Sequence, residues 1–179
     1  MHMSKEFIYL GTASLVTLLG AATDLKSRRI PNLLTGPALL LGLMLHFSLD
    51  GWRGLGSAAL AGLICGSIFL VFFLAGGMGA GDVKLIAAAG CLAGLSNAPY
   101  LLVLTALAGG VMGLAFAAMR GQVRQTLTNV ATITAHHREE GFTPHPDLNV
   151  RNSSTLRLPY GLAIAAGCCV TLLLQGVKR

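Results

Sequence analysis

The sequence predicts an all-α fold, a polytopic membrane helical bundle of about six transmembrane helices. Three observations lead there. Of the 179 residues, 54% are hydrophobic and only 11% are charged, whereas a soluble domain carries roughly 25% charged residues, so this chain cannot clothe a water-facing surface. Its mean hydropathy is +0.69. The apolar residues also gather into runs close to the roughly 20 needed for a helix to cross the hydrocarbon, with basic residues in the short stretches between them. Six runs and one polar loop use up the length, so residues 1–179 read as a single membrane-embedded domain containing a cytoplasmic loop at 120–157.

The first run, 7–23, ends on the small residues Gly20, Ala21 and Ala22. A signal peptide ends in the same way, but Lys26, Arg28 and Arg29 follow at once and oppose translocation, so this helix is expected to stay. Runs two and three cover 33–49 and 55–75, separated by Asp50 and Arg53. The second opens on Ile30-Pro31-Asn32, where Pro31 suits a first-turn position because an N–H there has no intrahelical partner. Run four, 83–95, is short: a tilted or partial span, or one that extends back through the glycine-rich stretch 76–81. Runs five and six cover 99–119 and 158–175. Gly62-x-x-x-Gly66 and Gly109-x-x-x-Gly113 predict close helix contacts, since small residues let backbones approach in lipid. The polar stretch 120–157 reads as a solvated loop.

Lys and Arg number 13 against 7 Asp and Glu. Nucleic acid is not the expected partner, because the cations sit between apolar runs as topology signals. The loops after runs one, three and five hold nine of them: Lys26, Arg28, Arg29, Lys84, Arg120, Arg124, Arg138, Arg151 and Arg157. The other side holds four, Lys5, Arg53, Lys178 and Arg179, which places the first side in the cytoplasm and both termini outside. Cys65, Cys91, Cys168 and Cys169 lie within apolar runs and form no CxxC pair, so they read as small core residues. In the loop, His136, His137, Glu139, Glu140 and His145 lack the HExxH spacing of a helical zinc site, so neither metal nor cofactor is expected.

The seven acidic residues can be taken one by one. Glu6 and Asp50 sit at exterior ends, and Glu139, Glu140 and Asp147 in the polar loop, where a solvated charge needs no function. Asp24 and Asp82 sit at the edges of apolar runs, where a carboxylate is costly unless paired or hydrated. Two runs lie between them, so the chain crosses twice and returns, and both acids face the side assigned to the cytoplasm. Two carboxylates within hydrogen-bond reach share a proton, one acting as base toward water and the other as acid toward a carbonyl. That pair hydrolyses a peptide bond without metal or covalent nucleophile. Equally, the two acids can snorkel or cap separate helices. Asp82 follows Gly76-Gly77-Met78-Gly79-Ala80-Gly81, and irregular backbone at membrane depth lines a wet cavity. As an N-cap Asp82 leans toward base, while Asp24 ends a helix and leans toward acid. The alternative is a proton-coupled transporter or channel subunit with the same aspartates as a relay, although their place at span ends favours hydrolysis.

Thr23-Asp24, Ile30-Pro31-Asn32, Gly79-Ala80-Gly81-Asp82-Val83-Lys84-Leu85 and Leu158-Pro159-Tyr160-Gly161 together resemble the type IV prepilin peptidases, membrane aspartyl proteases of the GxGD type. The resemblance implies removal of the short basic leader of a prepilin or pseudopilin at the cytoplasmic face of the bacterial inner membrane, within the lipid bilayer. It implies Asp24 and Asp82 as the catalytic pair and Gly79 and Gly81 as positioning residues. Lys84 matches a recurrent position, where it steadies the ionised pair or anchors a helix end. Pro31 and Asn32 complete the positioning set, Asn32 as a donor to Asp24 or as a helix start. Long forms of the family also N-methylate the new terminus and carry paired CxxC motifs before the first aspartate. This sequence is similar instead to the short forms that serve Flp/Tad-type pili, so neither methyl transfer nor structural zinc is expected. No substrate-contacting residue and no oligomeric state is read from the sequence.

Overall fold

Glycine and proline cut the chain into its helices. The computed structural model describes residues 2–141 and 159–177. Its elements are α1 His2–Ser27, α2 Asn32–Leu74, α3 Ala80–Ala93, α4 Ala98–Met119, α5 Val123–Glu140 and α6 Tyr160–Val177. Among the described residues there is no strand. Helices α1, α2, α4 and α6 are long and apolar enough to cross a membrane.

At 43 residues, α2 would run to about 65 Å if straight, twice the hydrocarbon thickness of about 30 Å. It is not straight. Gly51 adopts φ 64° and ψ −149°, outside helical space, and turns the chain back on itself. The packing proves the reversal: added Cβ atoms on Gly42 and on Gly62 would both lie 3.1 Å from the side chain of Cys91. In an unbroken helix those two glycines would stand about 30 Å apart. The element is therefore a helical hairpin, and the separate apolar runs 33–49 and 55–75 correspond to its two arms. At the bend the arms touch closely, since a Cβ on Gly54 would fall 2.6 Å from Asp50 Cβ and closer still to the His46 carbonyl.

Nothing lies within 4 Å of a Cβ built on Gly51, so only its backbone conformation demands glycine there. That region of φ/ψ space costs other residues about 1–3 kcal/mol. Gly51→Ala is accordingly expected to lower stability by about that amount through backbone strain alone, measured as the midpoint of thermal unfolding in detergent.

Helix α3 is the fourth run, and it begins at Ala80 rather than reaching back through 76–79. Its 14 residues rise only about 21 Å, too short to cross the hydrocarbon unaided. Other helices wrap it: Leu85, Ile86, Ala88, Ala89 and Leu92 are fully buried. The hairpin covers one flank through Gly62 and Gly66, which approach Ala87 and Cys91 without side chains in the way, as the first GxxxG predicts. Helix α1 covers another, with Gly20 set against Leu85. Helix α6 packs on α1 and α4, and Gly109 of the second GxxxG meets Ala163 and Tyr160 at ordinary contact distance. The outward faces carry Leu18, Leu40, Leu63, Phe72, Leu107 and Leu173, each about half exposed or more, a surface suited to acyl chains rather than water.

One expectation needs correction. The segment 120–157 is not all loop: after the turn at Gly121, residues Val123–Glu140 form the helix α5. Its apolar residues Val123, Leu127 and Val130 recur at helical spacing within a mostly polar stretch, a pattern hidden by the low overall hydropathy. The side chains of His137, Arg138, Glu139 and Glu140, and all of His145, Asp147, Arg151 and Arg157, lie outside the described residues, as do Lys178 and Arg179.

Candidate active site

The two isolated acids reach one end of the bundle by different routes. Asp24 lies in the last turn of α1, four residues before that helix is closed by Arg28 in the left-handed conformation, φ 51°, with its N–H on the Asp24 carbonyl at 2.8 Å. Asp82 is the third residue of α3 rather than its N-cap; Gly79 holds the cap position. The Asp82 carboxylate instead reaches back, accepting from the Gly79 N–H through Oδ2 at 3.1 Å. It thereby satisfies a backbone donor that the helix leaves unpaired. Asp82 is 9% exposed, Asp24 is half-buried, and each lies within electrostatic reach of the other. Two carboxylates 58 positions apart in sequence thus come to the same end of the bundle, where the α1–α2 connection packs against the start of α3.

The motifs around them interlock. A Cβ on Gly79 would crowd Asp82 Oδ2 at 3.2 Å, and one on Gly81 would lie 3.1 Å from Ile30 Cβ, so both glycines make room, one for the carboxylate and one for the α1–α2 connection. Ile30 is buried there. Pro31 is the N-cap of α2 rather than a first-turn residue, with extended φ −71° and ψ 141°, and its carbonyl accepts from Leu34 N–H at 3.0 Å. Lys84 Nζ donates to Asn32 Oδ1 at 2.8 Å. These two polar residues therefore tie the start of α2 to the first turn of α3, just outside the carboxylates.

Helix α6 completes the site. Gly161 N–H donates to Asp24 Oδ2 at 3.2 Å, and Tyr160 lies within electrostatic reach of Asp82. Both carboxylates accept an N–H at a helix start, Asp82 from α3 and Asp24 from α6. Helix α6 touches the pair only in three dimensions, so no reading of runs could give it that role. The signal available was Pro159-Tyr160-Gly161 at the mouth of an apolar run. Among the described residues no three His, Cys, Asp or Glu side chains converge as a metal site.

These carboxylates on α1 and α3, with a GxGD turn between hairpin and core helix, give the chain a recognisable core, and comparison decides its kinship. The profile of the type IV leader peptidase family matches residues 12–114. The chain belongs to the type IV leader peptidase family. The matched stretch includes Asp24, Pro31, Asn32, Gly79, Gly81, Asp82 and Lys84, and ends before α5 and α6. Among curated relatives, a prepilin leader peptidase/N-methyltransferase of Aeromonas hydrophila is 39% identical over 104 residues, covering 54% of this chain and 36% of that protein. A protein of the same name from Burkholderia pseudomallei (strain 1026b) is 34% identical over 114 residues, covering 58% of this chain and 35% of its own length. The chain thus spans about a third of the length of the leader peptidases it matches. No solved structure matches it.

A second polar cluster occupies the opposite end of this leader peptidase fold, and it involves two acids that the sequence offers only as solvated charges. Asp50 accepts from Lys5 Nζ and from the buried Tyr9 hydroxyl, both at 2.7 Å. Tyr9 stacks on buried His46 with ring centroids 3.7 Å apart, and His46 Nε2 pairs with the Leu92 carbonyl at 3.1 Å. Glu6 accepts from Asn97, which also accepts from Gln175. The network staples α1, the hairpin bend, α3, α4 and α6 at the end away from the dyad. Asp50→Ala is expected to cost about 1–3 kcal/mol by stranding the Tyr9 hydroxyl, read as a lower midpoint of thermal unfolding in detergent.

Proposed function

We propose that the protein is a membrane aspartyl endopeptidase that removes the short basic leader of type IV prepilins of the Flp/Tad-like kind. One observation carries this reading: Asp24 and Asp82, from separate helices, lie within electrostatic reach at one end of the bundle, each held by a glycine N–H. Two such carboxylates cannot easily both ionise, so one proton serves both. The ionised partner takes a proton from water as the water attacks the scissile carbonyl, and the protonated partner hydrogen-bonds the developing oxyanion. The tetrahedral intermediate then collapses with proton transfer to the leaving amine. No covalent intermediate forms.

The protein resides in a lipid bilayer, in this reading the bacterial inner membrane, with the dyad facing the cytoplasm. Among the described residues, Lys26, Arg28, Arg29, Lys84, Arg120 and Arg124 fall at the dyad end, and Lys5 and Arg53 at the other, in keeping with the positive-inside tendency. A substrate helix must unwind at its leader junction to reach the dyad, because helical carbonyls are closed by hydrogen bonds. The leader junction of a prepilin, at the membrane surface where a helix ends, meets that need.

Incubating the purified protein with a Flp-type prepilin tests the reading. Leader removal by the parent, and none by Asp24→Asn or Asp82→Asn, is the expected result. Proton or solute flux that depends on the two aspartates, without proteolysis, would replace it with the relay reading.

A further inference from the structure

The family match stops at residue 114, yet the fold brings α6 back to the dyad. Its opening turn reaches both acids: Gly161 through a hydrogen bond to Asp24, and Tyr160 through its electrostatic proximity to Asp82. The approach is close. A Cβ on Gly161 would stand 3.1 Å from both Asp24 Cβ and Asp24 Oδ2, and 3.4 Å from the Ala21 backbone, so any side chain there would press on Asp24 and make it give way.

The hydrogen-bond pattern has a chemical consequence. Gly161 N–H reaches Asp24 through Oδ2, and Gly79 N–H reaches Asp82 through Oδ2. A carboxyl group accepts an N–H best on its carbonyl oxygen, so an N–H held by one oxygen favours the acid's own proton on the other. Among the described residues no hydrogen bond reaches Oδ1 of either aspartate. The backbone therefore occupies one oxygen of each acid and leaves the other for chemistry.

We propose that the opening turn of α6 is a positioning element of the catalytic site, in which the Gly161 N–H holds Asp24 by Oδ2 so that Oδ1 carries the proton shared with Asp82. This rests on the aspartyl peptidase reading and adds a third helix to it, beyond the two that supply the acids. Gly161 acts through Asp24 and contacts no substrate atom. Its loss should therefore slow the chemical step without weakening substrate binding.

Two changes at one position test this with the full chain, in detergent, against a Flp-type prepilin. Gly161→Ala keeps the N–H and pushes a methyl group onto Asp24. A backbone ester at Gly161 replaces the N–H by oxygen and adds no side chain, so it removes the donor with the packing intact. Both are expected to lower kcat at least tenfold with KM within twofold of the parent, and the ester form should unfold at the parent temperature. If the alanine variant does not fold, the ester alone decides. Parent-like kcat in the ester form, with the parent cleaving normally, overturns the positioning role and leaves the peptidase reading standing. A parent that fails to cleave the prepilin at all removes that reading and this inference with it.

Discussion

Asp82→Asn is expected to reduce leader cleavage by about a thousandfold or more while the protein keeps its fold. Asparagine has nearly the same shape, and its amide oxygen can still accept from Gly79 N–H, so the first turn of α3 survives. What disappears is the capacity to take or give a proton, and positioned acid–base groups contribute typically 10²–10⁴-fold. Asp24→Asn should fall equally far, because the Gly161 donor likewise still finds an oxygen. Gel-shift assays of a prepilin, together with circular dichroism of each variant, check both halves of the expectation. Cleavage within tenfold of the parent by either variant would remove that aspartate from the chemistry.

A large effect on stability is expected at Gly167. A Cβ there would lie 2.6 Å from the Thr105 backbone nitrogen and 2.8 Å from its Cα, with the Thr105 hydroxyl closer still. Backbone atoms cannot swing aside as a flexible side chain would, so Gly167→Ala must push α6 away from α4. Overpacking of a tight contact costs typically 1–3 kcal/mol, and this site belongs at or beyond the upper end because a whole helix has to move. Thr105→Ala should rescue only part of the loss, since it clears the hydroxyl and leaves the main chain in place. Cleavage should suffer as well, because α6 carries Gly161 at its dyad end. Thermal unfolding of the single and double variants measures the first effect. A Gly167→Ala protein as stable as the parent would mean that α4 and α6 do not approach each other so closely.

Much of this architecture is legible in the residues. Hydrophobic run lengths give the two arms of the hairpin and the shortness of α3, and parity of crossings puts Asp24 and Asp82 on one face. Those signals are local or additive along the chain, and so they survive without coordinates. The mutual packing of Gly81 with Ile30, and the bond from Lys84 to Asn32, are foreshadowed only as motifs, because each depends on how the hairpin folds back. Helix α5 escapes a reading of runs because Thr, Gln and Asn dilute its apolar stripe. The Tyr9–His46–Asp50 network escapes for another reason: its members are scattered along the chain, and each alone reads as an ordinary residue near a span end. Gly161 has a motif but no partner until α6 is seen to return to α1.

A mutant cycle on the two aspartates under single-turnover conditions tests the central claim most directly. Groups that act as one catalytic unit lose their contribution together, so the losses are grossly non-additive. Asp24→Asn, Asp82→Asn and the double variant are therefore predicted to cleave a prepilin at the same residual rate. A double variant slower than either single by the product of their separate losses, or a single variant cleaving at the parent rate, would contradict a shared-proton dyad.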